Sequence, residues 1–152
     1  MTLQTNYEIR REDFCISTDK KRLDIEVIHH FLANKSYWSK GIPLPVVRKA
    51  VSNSLCFGVF KGDEQVGFAR VVSDYVTFAW LADVFILKEC RGIGLSKWML
   101  EVIMSHPDLQ VLRRWMLATR DAHGLYAKYG FKPVAHPERL MENHQPDVFI
   151  DA

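Results

Sequence analysis

At 152 residues, with 48% hydrophobic and 25% charged side chains, the chain suits one compact domain with its own core and is too short for two. Residues 1–152 are therefore read as a single domain. With 20 basic and 18 acidic residues, a net charge of +2 and no block of like sign, the composition does not predict nucleic-acid binding. Three well-separated cysteines, Cys15, Cys56 and Cys90, form no CxxC pair, which points to reduced thiols and a cytoplasmic protein. The N-terminal MTLQTNYEIRRED lacks an apolar core of signal-peptide length, and Glu8, Glu12 and Asp13 argue against a transit peptide, so the chain is expected to start at residue 1. The longest apolar stretch, Tyr75 to Leu87, is interrupted by Thr77 and Asp83 and falls short of the roughly 20 residues that span a bilayer. It predicts a buried segment and no membrane partner.

In chain order, Phe14 to Ser17 reads as a first strand after the polar Glu8 to Asp13. Thr18 and Asp19 offer N-cap side chains before Leu23, Ile25, Val27, Ile28, Phe31 and Leu32, whose spacing predicts a helix over about 20–33, with His29 and His30 at its surface or boundary. The turn-rich segment Asn34 to Pro45 carries adjacent aromatics, Tyr37 and Trp38, which are either lids over the core or walls of a pocket. A second helix starts near Leu44 or Pro45 and ends at Ser52 to Ser54. From Leu55 the pattern alternates: LCFGVF, the turn KGDEQ and VGFARVV predict a hairpin. A third strand over about Thr77 to Leu87 is nearly continuously apolar, hence central and covered on both faces.

That strand runs into Lys88 to Gly94, a charged turn with two glycines. Leu95, Trp98, Met99, Val102 and Ile103 then recur at helical spacing until His106 and Pro107 stop the helix. A strand feeding a glycine turn at a helix start aims several backbone amides at one point, and the helix dipole adds positive charge there. The turn is either such an anion site, best suited to phosphate, or an ordinary tight connection. Val111 to Ala118 is the next strand. Thr119 to Asp121 can cap a short helix, Ala122 to Tyr129, closed by Gly130. Because a helix separates them, the strands before and after the turn are expected to be parallel neighbours. Phe131 to Ala152 is expected to add one or two edge strands. Together these elements predict an α/β domain with a mixed central sheet: an antiparallel N-terminal meander, one parallel pair, and about four flanking helices.

Two motifs then carry a family resemblance. Arg91, Gly92, Ile93, Gly94, Leu95 and Ser96 resemble the phosphate-binding signature of the GNAT acetyltransferase superfamily, and Leu125 to Phe131, LYAKYGF, resembles the late YxKxGF element of the same enzymes. Two positions depart from the family pattern: Ser96 replaces Gly or Ala, and Thr119 stands where many members have Asn. Serine keeps the backbone amide and adds a hydroxyl donor.

The resemblance implies acetyl-CoA as cosubstrate. The amides from Arg91 to Lys97 would receive its pyrophosphate, with the Arg91 and Lys97 side chains as charge partners, and Thr119 is a weaker cofactor contact. Phe85, Ile86 and Leu87 would hold the pantetheine arm through their backbone, and the NH near Ile86 would polarise the thioester carbonyl. The implied reaction is direct transfer to a primary amine, of a small molecule or a peptide, without an acyl-enzyme. Tyr126 matches the family's general acid; its alternative is packing on the helix face, where Tyr129 is read as core. Asp83, the carboxylate within the apolar strand, is the candidate base, with pairing to an arginine such as Arg70 as its alternative role. Tyr37 and Trp38 would line the acceptor site. The other function class compatible with these features is a non-catalytic acyl-CoA-binding sensor or assembly module. No HExxH, CxxC or clustered carboxylates suggest a metal. Homodimers, common among GNAT relatives, are the oligomeric state the resemblance allows.

Overall fold

The computed structural model describes residues 5–150. Residues 1–4 and 151–152, the outer ends of the stretch read for a leader and of the C-terminal segment, lie outside the described residues. Among the described residues six strands form one sheet in the order β1-β2-β3-β4-β5-β6: β1 Glu8–Arg11, β2 Phe14–Ser17, β3 Leu55–Lys61, β4 Glu64–Ser73, β5 Phe78–Ile86 and β6 Arg114–Leu117. Strands β1 to β5 run antiparallel to their neighbours, and β5 pairs with β6 in parallel. The meander followed by a parallel pair is the expected sheet. Strand β1 was not expected, because Glu8, Arg10 and Arg11 are polar; it is an edge hairpin partner of β2 that turns only Ile9 toward the core.

The described residues include four α-helices, which cover the two faces: α1 Ile25–Asn34, α2 Leu44–Ser52, α3 Leu95–Met104 and α4 His123–Ala127. Leu95, Trp98, Met99, Val102 and Ile103 of α3 join Phe57, Val59, Val71 and Leu81 of the sheet in the larger core, with Tyr126 of α4 at its edge. On the opposite face Ile28, Phe31 and Leu32 of α1 and Val47 and Val51 of α2 pack on Cys56, Phe68 and Phe85. Desolvation there pushes the Cys56 thiol up to about 11, which makes it an inert core group.

Three boundaries moved for physical reasons. The helix expected from residue 20 is interrupted: Asp19 caps a 3₁₀ turn, Lys20–Arg22, Leu23 is extended, and α1 starts after Asp24, whose carboxylate accepts from the Glu26 and Val27 amides. Thr18 instead accepts from the Tyr7 amide through its hydroxyl. Strand β6 is four residues long because Val111 lies out in solvent and pairing begins at Arg114. Beyond Phe131 no strand forms among the described residues; Pro133, Pro137 and Pro146 remove amide donors a ladder would need, and the only regular element is a 3₁₀ turn, Pro137–Arg139. His29 is half-buried with Nε2 against the Ile42 carbonyl, and His30 is exposed.

Candidate active site

Strand β5 outruns its parallel partner. Pairing with β6 ends at Leu81 opposite Leu117, while β5 continues to Ile86 bonded to β4 alone. One edge of residues 82–86 is therefore open. In this stretch Phe68 faces Phe85 and Arg70 faces Ala82, so Asp83 and Val84 together oppose the single residue Ala69. This β-bulge holds Asp83 at φ 55° and reverses the strand's facing: Ala79 and Leu81 point into the α3 core before it, whereas Ile86 does so after it. Phe85 instead stacks on Phe31 at 4.0 Å on the α1 face.

The bulge also decides which amides are available. The Leu87 amide donates to the Val66 carbonyl at 2.8 Å, and by antiparallel alternation Phe85 also bonds to β4 while Ile86 turns its amide to the open edge. Of the three expected backbone contacts, Ile86 alone presents its NH there. Its carbonyl accepts from Arg91 Nε at 2.8 Å, so the arginine expected as a pyrophosphate partner also ties the turn to the end of β5.

The turn itself has the features of an anion cradle. Gly92 and Gly94 take φ 83° and 85°, a region L-residues avoid, and a Cβ on either would meet only open space. Gly94 is the N-cap of α3 and has no side-chain cap. The first helical bond runs from Trp98 to the Gly94 carbonyl, which leaves the amides of Leu95, Ser96 and Lys97 as the uncapped donors of a helix start. Ile93 is exposed, Leu95 buries its side chain in the core, and Tyr129 donates its hydroxyl to the Lys97 carbonyl, bracing the first turn of α3.

Four expected residues meet beside the open edge. Asp83 Oδ2 accepts from Arg70 Nε at 2.8 Å, and Oδ1 accepts from the Trp38 indole at 2.8 Å. The pairing with Arg70, its alternative role in the sequence, is thus present; Arg70 is in turn held by Ser54. Trp38 meets Tyr37 edge to face at 5.0 Å. Tyr37 crosses to the end of β6, where its hydroxyl accepts from the Arg120 amide at 3.1 Å and its ring lies 4.0 Å beneath the Arg120 guanidinium. Tyr37 and Trp38 are therefore a bridge over the gap between β5 and β6.

Tyr126 lies on the β6 side of this bridge, in a cavity of about 350 Å³ that it lines with Leu117, Thr119, His123 and Phe131. No buried side-chain oxygen or nitrogen among the described residues lacks a partner, and the Tyr126 phenol, which has none, reaches the cavity surface. Burial pushes its pKa up, and nearby Tyr37 adds to the shift. It is thus a protonated donor at neutral pH. Thr119 accepts from the Ala122 amide and keeps its own O–H to donate. The sequence marked Arg120 only as a possible helix cap and Ser54 only as a helix stop, neither as a site residue; the fold brings them here. Among the described residues no group of three His, Cys, Asp or Glu side chains is placed to hold a metal, and no helix is long and apolar enough to cross a membrane.

Residues 52–133, from the end of α2 to just past α4, match the family model described as an acetyltransferase (GNAT) domain. The chain is 34% identical over 140 residues, covering 78% of each chain, to a Gibberella zeae protein assigned as an acetyltransferase. A crystal structure from Xanthomonas campestris, of a protein assigned to the GNAT acetyltransferases, superposes with TM-score 0.88 at 54% identity, covering 90% of this chain and 96% of that one. A GNAT acetyltransferase from Elizabethkingia anophelis, solved with acetyl-CoA bound, shares the fold at 16% identity and TM-score 0.57 over 80% of this chain and 78% of that one. With the match to residues 52–133 spanning the open strand edge, the glycine turn and α4, the chain belongs to the GNAT superfamily and is a GNAT-type acetyltransferase.

Proposed function

We propose that the protein transfers an acetyl group from acetyl-CoA to a primary amine by direct attack within a ternary complex. The observation that carries this reading is the open edge of β5, where the unpaired Ile86 amide leads into the uncapped amides at the start of α3; the Tyr126 phenol, on the β6 side, supports it. The turn suits the pyrophosphate of coenzyme A, with Gly92 to Lys97 supplying backbone donors and the helix dipole favouring the charge. Pantetheine carries amide groups of its own and suits an unpaired strand edge. The Ile86 NH is then a donor for the carbonyl oxygen as negative charge develops on it.

A primary amine, with a pKa near that of lysine at about 10.4, is mostly protonated at neutral pH and must lose a proton to attack. Asp83 is about 10 Å along the strand from Ile86 at about 3.3 Å per residue, so its effect on the attacking nitrogen runs through water. We assign it as the anion that stabilises the cation forming on that nitrogen, with water carrying the proton. The amine nitrogen bonds to the carbonyl carbon, the tetrahedral intermediate collapses, and the carbon–sulfur bond breaks. Tyr126 donates its phenolic proton to the departing thiolate and is reprotonated from solvent. Its raised pKa fits a group that must be protonated at the start.

The test is thiol release from acetyl-CoA in the presence of primary amines, together with calorimetric acetyl-CoA binding, for the wild type and Tyr126→Phe. The expected result is amine-dependent thiol release that falls about 100-fold in kcat in the variant, with acetyl-CoA affinity nearly unchanged. Binding of acetyl-CoA without thiol release for any amine would make the protein an acyl-CoA-binding module instead.

A further inference from the structure

A cavity of about 600 Å³, larger than the one at Tyr126, lies along the side of β6 that faces away from β5. One wall is residues 112–116, leading into β6; the other is the segment 129–140. The two walls do not pair. The sheet order ends at β6, and among the described residues no loop backbone hydrogen bond reaches residues 113–118. Alternate residues of β6 therefore turn an NH and a carbonyl outward without a backbone partner from this chain, which is the template an added strand needs. The charge of the groove is one-sided. Arg113, Arg114, Lys132 and Arg139 line it, all exposed, and no acidic residue does. Among the described residues none of these four is in an ion pair; Glu138, beside Arg139 in the chain, is engaged by His136 at 3.2 Å. Apolar surface lies between the cations: Trp115 and Phe131, half-buried and edge to face at 6.2 Å, and Leu140, 41% exposed.

These features select among occupants. A second copy presenting the same edge would set arginine against arginine, and like charges across an interface suppress pairing. A nucleic acid answers the charge but has no NH and carbonyl groups at strand spacing. A polypeptide with acidic and apolar side chains answers the charge, the apolar surface and the strand edge together. We propose that the outer edge of β6 docks an extended acidic segment of another protein as an added strand. Its carboxylates meet Arg113, Arg114, Lys132 and Arg139, and an apolar side chain sits on Trp115, Phe131 and Leu140. The four residues of β6 rise only about 13 Å at about 3.3 Å each. Backbone pairing is therefore short, and charge supplies much of the affinity. Docking here does not depend on the proposed acetyl transfer.

Fluorescence anisotropy of the full chain with a labelled peptide, EEVEVFEVEE, tests it. The peptide carries its label on the N-terminus and has no free amine, so it reads docking and cannot be a substrate. Binding is expected, and it should weaken about tenfold when salt rises from about 0.1 M to about 1 M and the Debye length falls from about 10 Å to about 3 Å. Arg114→Glu and Lys132→Glu, both at exposed side chains, should each weaken it about tenfold with the melting midpoint unchanged. The peptide EEVPVPEVEE, which keeps the acidic residues but lacks amide donors at two positions, should bind about tenfold more weakly, since proline removes the donors a ladder needs. Amide NMR with EEVEVFEVEE should shift Arg114 to Leu117 most. No binding of EEVEVFEVEE, equal binding of its lysine counterpart KKVKVFKVKK or of the proline peptide, or full affinity in both charge-reversal variants would overturn the proposal. So would tighter binding of a thymidine oligonucleotide, or dimerisation of the chain that the peptide does not disturb and that both variants change. Docking of the peptide by a protein that releases no thiol from acetyl-CoA with any amine would uphold this surface and sink the proposed reaction instead.

Discussion

Asp83 accepts one hydrogen bond on each carboxylate oxygen, from Arg70 and from Trp38, and does so from a left-handed backbone conformation that a bulge imposes. Asparagine can keep the Trp38 bond but offers an NH₂ or a neutral oxygen to the guanidinium, so Asp83→Asn removes the charge while keeping the shape. We expect kcat to fall at least tenfold near pH 7 and to recover partly as pH rises and more amine arrives unprotonated. An unchanged kcat with a lowered melting midpoint would make Asp83 purely structural. Sequence alone found Asp83 as the lone carboxylate in an apolar run and named Arg70 as a partner; Trp38, 45 residues away, was invisible as its second one. His106 makes a separate residue-scale prediction. Burial against Tyr7 and Phe57 holds its imidazole below the ordinary value, and its Nδ1 accepts from the Asp108 amide. The fold thus favours the neutral ring. The resulting stability is present above the unfolded value of about 6.5 and is lost as pH falls through the folded one. Denaturant midpoints at pH 7.5 and 5.5 should differ more for the wild type than for His106→Asn, which retains an acceptor for Asp108. Equal differences would contradict this.

The working elements are β5, its bulge and the turn into α3. The apolar run and the glycines were legible in sequence because a strand, a tight turn and a helix stripe each have a period or a residue type that marks them. The bulge was not: nothing in LADVF signals that two residues will face one, because that depends on the register of β4. The start of α1 was misplaced for a related reason, since Asp19 and Asp24 are both good caps and local chemistry does not rank them. At the turn, Gly94 at φ 85° is required by the backbone and opens onto free space. Gly94→Ala introduces left-handed strain of about 1–2 kcal/mol and a methyl group at the proposed phosphate site. Gly62, at φ 60° in the β3–β4 hairpin and equally unobstructed, provides the control. Calorimetry should show weaker acetyl-CoA binding in Gly94→Ala, by about tenfold, and wild-type affinity in Gly62→Ala at comparable stability loss. Equal effects in both would mean that the turn acts through stability alone.

At the scale of the molecule, one sheet is covered by α3 on one face and by α1 and α2 on the other, and it parts where β6 ends before β5 does. The loop carrying Tyr37 and Trp38 bridges that parting to Arg120. The order of elements, the parallel pair and both motifs could be read from the chain because each rests on local spacing. The polar β1, the strandless C-terminal segment and the docking of Phe149 on the α1–α2 face depend on long-range partners, and local spacing does not encode those. The central claim is that acetyl-CoA lies along this parting, with its pyrophosphate on the turn and its thioester at Ile86. Backbone amide NMR of the full chain during titration with acetyl-CoA tests it most directly. The largest shifts are predicted at Ile86 and at Gly92 to Lys97, with smaller ones at Thr119 and Tyr126. Shifts confined to Arg113, Arg114 and the segment after Phe131, with Ile86 and the turn unmoved, would contradict it.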